Sequence, residues 1–112
     1  MNTKHTGFNP IYSDNNPTLE HINNINGSAF LEFGTPWCGH CLAAAPIIEE
    51  ALTTTAISHI KVQDGKGLPL GRAFRVKRWP TLILLHNGKE VARVVRPTST
   101  DSINELLAKL KM

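Results

Sequence analysis

The sequence predicts an α/β fold, a central mixed β-sheet flanked by helices on both faces. Three observations lead there. Apolar residues recur at helical and strand spacings in the order helix, strand, helix, strand, helix, strand, strand, helix, which calls for a layered sheet. Two late apolar runs are joined at Asn87-Gly88, the strongest short signal for an antiparallel hairpin. A parallel strand pair needs a right-handed crossover, and the cysteine-bearing helical segment supplies one. With 112 residues the chain suffices for one core and not two, so residues 1–112 are expected to form a single domain, with 1–16 partly irregular.

The elements follow in order. Pro17–Ile25 places Leu19, Ile22 and Ile25 at helical spacing behind a Thr18 cap, and Asn26-Gly27 ends it. "AFLEF" is a strand in which Phe30, Leu31 and Phe33 surround one carboxylate, Glu32. From Cys38 to about Thr55 a helix is expected with Cys41, Leu42, Ala45, Ile48 and Leu52 on one side and a kink at Pro46. His59–Asp64 is a strand, and "LPLGRAFRV" a short helical segment leading to "RWPT". After the hairpin, Ile103, Leu106, Leu107 and Leu110 fall at i, i+3, i+4 and i+7 behind a Thr98–Asp101 cap region. Lys109 and Lys111 in the last turn complement the helix dipole.

Composition narrows the function. A net charge of +3 without a long Lys/Arg run speaks against nucleic acid as a partner. The longest apolar run, "TLILL", is far short of a membrane span. The first residues lack an apolar run before a small-residue cleavage site, so a cytoplasmic protein is expected. The C-terminal "KLKM" is not a retrieval signal for the endoplasmic reticulum. In a reducing compartment a close cysteine pair is catalytic or metal-binding more often than a structural staple.

Both cysteines stand in "TPWCGHCLAAAP", two residues apart. Such a pair can be a redox couple, half of a zinc site, or two small core residues. Zinc would need two further ligands, and His5, His21, His40, His59 and His86 are scattered without a second paired spacing. At the junction of strand and helix, Cys38 meets the free N–H groups of a helix N-terminus, which favour thiolate over thiol. Cys41 lies one turn deeper, placed to attack a mixed disulfide at Cys38 and release the partner. His40, when protonated, stabilises the Cys38 thiolate and makes the oxidised pair a better oxidant, or it is only a solvated loop residue.

With Trp37, the Cys38-Gly39-His40-Cys41 run, Pro46 and the downstream "WPT", the chain resembles the thioredoxin superfamily, and the Gly39-His40 dipeptide resembles that of protein disulfide isomerase domains. The resemblance runs from about Ala29 to the C-terminus. It implies the thioredoxin fold, thiol–disulfide exchange with disulfide-containing protein substrates, and no metal or cofactor. Electrons would come from an external reductase or glutathione, and a monomer is expected. It further implies that Pro80 is a cis-proline against the cysteine pair, with the Trp79 backbone open to a substrate peptide. Glu32 matches the buried acid behind the resolving cysteine, able to take or return the Cys41 proton. Lys61 matches the basic residue opposite that acid, and Arg96 falls near a mobile arginine of the isomerase-type domains. Each of these has a plainer alternative: Glu32 an outward or structurally paired acid, Lys61 a snorkelling surface residue, Trp79 a packing residue.

The chain departs from the pattern at three places. Gly34-Thr35 stand where an aromatic and an alanine are common, which predicts looser packing behind the site. Arg96-Pro97 replace a glycine after the last strand, and Trp79 would reshape the peptide groove. Arg72, Arg75, Lys77 and Arg78, with Arg93 and Arg96, form either a solvated face or an electropositive rim for acidic partners. The expected function is a cytoplasmic protein-disulfide reductase; the alternatives are an oxidase or isomerase outside the cytoplasm, or a non-catalytic binding module.

Overall fold

A computed structural model describes residues 7–13 and 16–111. Of the N-terminal segment expected to be irregular, residues 1–6, 14 and 15, His5 among them, lie outside the described residues. The elements are α1 (Leu19–Asn23), β1 (Ser28–Gly34), α2 (Gly39–Leu52), β2 (Ser58–Gln63), α3 (Pro69–Ala73), β3 (Thr81–His86), β4 (Lys89–Val95) and α4 (Thr100–Ala108), which tightens into a 3₁₀ turn at Lys109–Lys111. The order matches that read from the sequence.

The sheet is mixed, with strands in the order β2-β1-β3-β4. β1 runs parallel to β2, joined through α2, and antiparallel to β3. β3 and β4 form the hairpin, with a bulge between Leu84 and Leu85. Alternation along β1 sends successive side chains to opposite faces, and each face finds its own core. Phe30 packs with Ile48, Leu52, Leu84 and Ile103 under α2 and α4. Leu31 and Phe33 pack with Ile22, Val62, Leu70 and Ile83 under α1 and α3. Both faces of the sheet are thus covered, as the fold class requires.

Two helices depart from expectation. Helix α2 ends at Leu52 rather than Thr55, and its buried stripe is Cys41, Ala44, Ile48, Ala51 and Leu52. Leu42 stands one helical step off that stripe and is exposed. Helix α3 closes at Ala73, because Arg75 takes a left-handed φ of 57° that no helix continues through. Ser99 caps α4 by backbone geometry without a side-chain hydrogen bond.

The hairpin tip is tied to the loop before β1. Asn87 donates its N–H to the Gly27 carbonyl and accepts the Gly27 N–H on Oδ1, both at 2.8 Å. Gly88 lies so close to the Asn23 backbone that a Cβ there would collide with it. These ties hold the end of the sheet opposite the cysteines, leaving the other end to carry the site.

Candidate active site

β1 ends at Gly34 and α2 begins at Gly39, so the intervening turn delivers Cys38 to the helix N-terminus, as expected. Cys38 is the N-cap in extended conformation, and its Sγ accepts the Cys41 N–H at 3.2 Å. That places one of the orphan helix donors on the sulfur. Both cysteines are free thiols, Cys38 half-buried and Cys41 4% exposed, so only Cys38 can meet a large partner. Gly39 and His40 lie exposed on the first turn, and Trp37 beside them is 70% exposed.

The second wall comes from the β3 end. Thr81 pairs with Phe33, which brings the buried Pro80 beside Gly34 at the end of the sheet where the cysteine turn leaves. The Trp79–Pro80 bond is cis. Arg96 spans these two residues: its N–H donates to the Pro80 carbonyl and its Nε to the Trp79 carbonyl, both at 2.9 Å. It does so with φ at 52°, the left-handed conformation that explains why glycine suits this position. The Trp79 indole is committed to contacts within the chain. It donates from Nε1 to Asp64 Oδ2 at 2.9 Å and packs on the α1/α3 core. Of the basic rim, Arg72, Arg75, Lys77 and Arg78 are exposed. Arg93 is tied to the Glu90 carboxylate and the Phe74 carbonyl.

Around Glu32 the arrangement differs from expectation. Glu32 is buried, but its partner is His59, with Nε2 to Oε1 at 2.8 Å. Lys61 is the residue opposite Glu32 in the parallel register, as the resemblance implies, yet its charge goes elsewhere. Its Nζ donates to the Pro10 carbonyl at 3.4 Å and sits 4.3 Å from the centre of the Tyr12 ring. At 6% exposure it is no surface residue, because the segment before α1 lies over it. The looser packing expected at Gly34 is absent for the same reason. A Cβ on Gly34 would lie 2.6 Å from Cys41 Sγ and 2.8 Å from the Tyr12 hydroxyl, so these two groups fill the space a side chain would take.

The electrostatics follow from that enclosure. Burial pushes the Cys41 thiol up to about 11, the Cys38 sulfur adding to the rise while the Thr35 amide and the Tyr12 hydroxyl oppose it. Burial likewise lifts the Tyr12 phenol far above its ordinary range, helped by the charge of Glu32 and by Cys41. Tyr12 therefore holds its proton more tightly than a free tyrosine does. Among the described residues no group of three or more His, Cys, Asp or Glu side chains gathers as a metal site would require.

The comparison with known proteins now decides the family: a family model described as Thioredoxin matches residues 12–109. The chain belongs to the thioredoxin family. It is 45% identical to thioredoxin 2 from Pseudomonas aeruginosa PAO1, solved in its reduced form, with a TM-score of 0.79 over 88% of this chain and 93% of that one. A mutant thioredoxin from Halobacterium salinarum is 25% identical, with a TM-score of 0.71 over 91% and 90% of the two chains. Among curated relatives, a protein disulfide-isomerase from Datisca glomerata is 26% identical over 93% of this chain. A thioredoxin domain-containing protein from Theileria parva is 38% identical over 56% of it. The chain spans 24% and 30% of the length of these two relatives. This is a thioredoxin-fold redox domain of the thiol–disulfide oxidoreductase class, and Cys38 and Cys41 are its CXXC-spaced pair.

Two residues at the site escape a reading of the sequence. His59 had a signal: in a parallel pair it lies two residues from Lys61 and therefore on the face of Glu32. Tyr12 had none of its own, since nothing local ties residue 12 to a glycine 22 positions away.

Proposed function

We propose that the chain reduces disulfides in protein substrates, with Cys38 as nucleophile and Cys41 as resolver. The observation that carries this reading is the asymmetry of the two sulfurs. Cys38 is accessible and holds a helix N–H on its sulfur, whereas Cys41 is enclosed. Cys38 Sγ attacks one sulfur of the partner disulfide, the partner's other sulfur leaving as a thiol after taking up a proton. Cys41 then attacks Cys38 Sγ, forms the Cys38–Cys41 disulfide and frees the second partner thiol. An external thiol donor, a reductase or glutathione, returns the pair to its reduced state.

Exposed Trp37 and Leu42 flank Cys38 and give a protein partner apolar surface to cover. Arg96 fixes the Trp79–Pro80 backbone on one side, and the Tyr12 hydroxyl and the Thr35 amide meet Cys41 on the other. The close likeness to thioredoxin 2 favours reduction, and a reductant of this kind works in a reducing compartment such as the cytoplasm. The exposed His40 pulls the other way, towards a more oxidising couple.

Equilibration of the Cys38–Cys41 pair in glutathione buffers, read by thiol alkylation, tests the direction. A potential at or below the cytosolic glutathione poise supports the reductase; one near that of the isomerases, about 90 mV above thioredoxins, replaces it with oxidation or isomerisation. Cys38→Ser abolishes reduction of insulin if the assignment holds. Retained reduction in that variant would overturn it.

A further inference from the structure

The enclosure of Cys41 depends on a residue outside the motif, its helix and the strand beneath it. We propose that Tyr12 is a positioning residue of the resolving step, its hydroxyl donating to Cys41 Sγ as that sulfur becomes a thiolate and holding it towards Cys38. The proposal rests on the oxidoreductase reading above.

Geometry supports it first. The Tyr12 hydroxyl and Cys41 Sγ share the volume left open by Gly34, within 2.8 and 2.6 Å of where its Cβ would stand. Any other residue at position 34 would push the two apart. The Tyr12 ring is also fixed in place. Lys61 Nζ lies over its face at 4.3 Å and is itself held by the Pro10 carbonyl. The next residue, Ser13, donates its N–H to the Lys61 carbonyl at 3.3 Å. Further back, Gly7 and Asn9 anchor the segment to Ile57 and His59 of the β2 side. A donor fixed before the reaction needs no reorganisation when charge appears. The cation over the ring face draws electron density from the phenol and strengthens its O–H as a donor.

The chemistry requires such a donor because Cys41 is reluctant to ionise. Burial and the Cys38 sulfur raise its pKa, and they outweigh what the Thr35 amide and the Tyr12 hydroxyl offer. Facing Tyr12 itself are the Glu32 carboxylate and Lys61 Nζ, with His59 paired to Glu32 behind them. A phenol that carries its proton can only donate to this sulfur, and burial favours the protonated form of Tyr12, so it acts as a hydrogen-bond donor and not as the base. In the step itself the Cys41 thiol loses its proton to solvent and its sulfur attacks Cys38 Sγ. The Cys38–substrate bond breaks, and the departing sulfur leaves with the electron pair and is reprotonated. No further oxidant or reductant enters.

The test separates the two chemical steps with an aromatic disulfide whose thiol absorbs visible light on release. Reduced protein releases one equivalent when Cys38 attacks and a second when Cys41 resolves. In Tyr12→Phe the second phase is expected to slow about threefold relative to the first near neutrality. That is what a shift of one pH unit in Cys41 ionisation gives once the stronger nucleophile is allowed for. The pH profile of the second phase should move upward by about one unit. Fluorotyrosine at position 12, a more acidic phenol of almost the same shape, is expected to speed the second phase, and it serves if Tyr12→Phe does not fold. An unmoved pH profile in Tyr12→Phe, or an equal slowing of both phases, overturns the role of Tyr12. Absence of both phases in the unmodified chain would instead overturn the oxidoreductase reading.

Discussion

A backbone N–H can only donate, so the Asn9 amide, 2.8 Å from Nδ1 of His59, leaves that nitrogen its lone pair. The ring's hydrogen then sits on Nε2 and is donated to Glu32. The His59–Glu32 contact is then a hydrogen bond from an uncharged imidazole rather than an ion pair. Ring ¹⁵N shifts should report the Nε2–H tautomer for His59 at neutral pH, and a doubly protonated ring would refute this assignment. Cys41 makes a second prediction at this scale. Its folded-state value of about 11 lies above the ordinary 9.0, so the folded chain holds that proton more tightly. The resulting stability is complete below 9.0 and is lost as the pH rises through 11. Tyr12, raised in the same sense, adds to the loss. Melting temperatures of the reduced protein across this range should fall more steeply than those of Cys41→Ser, and parallel curves would show no linkage through this thiol.

At the scale of elements, the shortest helices depend most on their ends. Helix α1 has five residues, and its Thr18 cap accepts the His21 N–H at 3.0 Å. Thr18→Ala should cost about 1 kcal/mol, seen as a lower urea midpoint with an unchanged slope. The elements were legible because period, caps and the Asn87-Gly88 turn are local signals. Leu42 was misplaced because one residue of helical drift decides between core and solvent, and a short window does not fix the phase. The cysteine pair, Pro80 and Glu32 could be found from motif order. The partner of Glu32 could not, since it depends on strand register and on a preceding segment that lies over β2. Trp79 similarly needed Asp64, 15 residues earlier, to show which way its indole turns.

For the whole molecule the sheet is the shared wall of two cores. Leu84 belongs to one core and its neighbour Leu85 to the other, both fully buried. Loss of either should therefore unfold both together. Leu84→Ala is expected to cost about 2–5 kcal/mol, with tryptophan fluorescence and far-ultraviolet circular dichroism giving one coincident transition. Separate transitions would mean that the two faces fold independently.

The segment from Gly7 to Ser13 lies against β2 by a few backbone bonds, yet it carries the tyrosine that closes the space over Gly34. A proteolytic nick just after Tyr12 would leave every motif residue intact and a peptide map of the cysteines unchanged. Such nicked molecules would still be alkylated at Cys38 and would still be counted as active sites. Titrated thiol would overstate working protein in aged or tagged preparations, and intact mass is the measurement that reveals the difference.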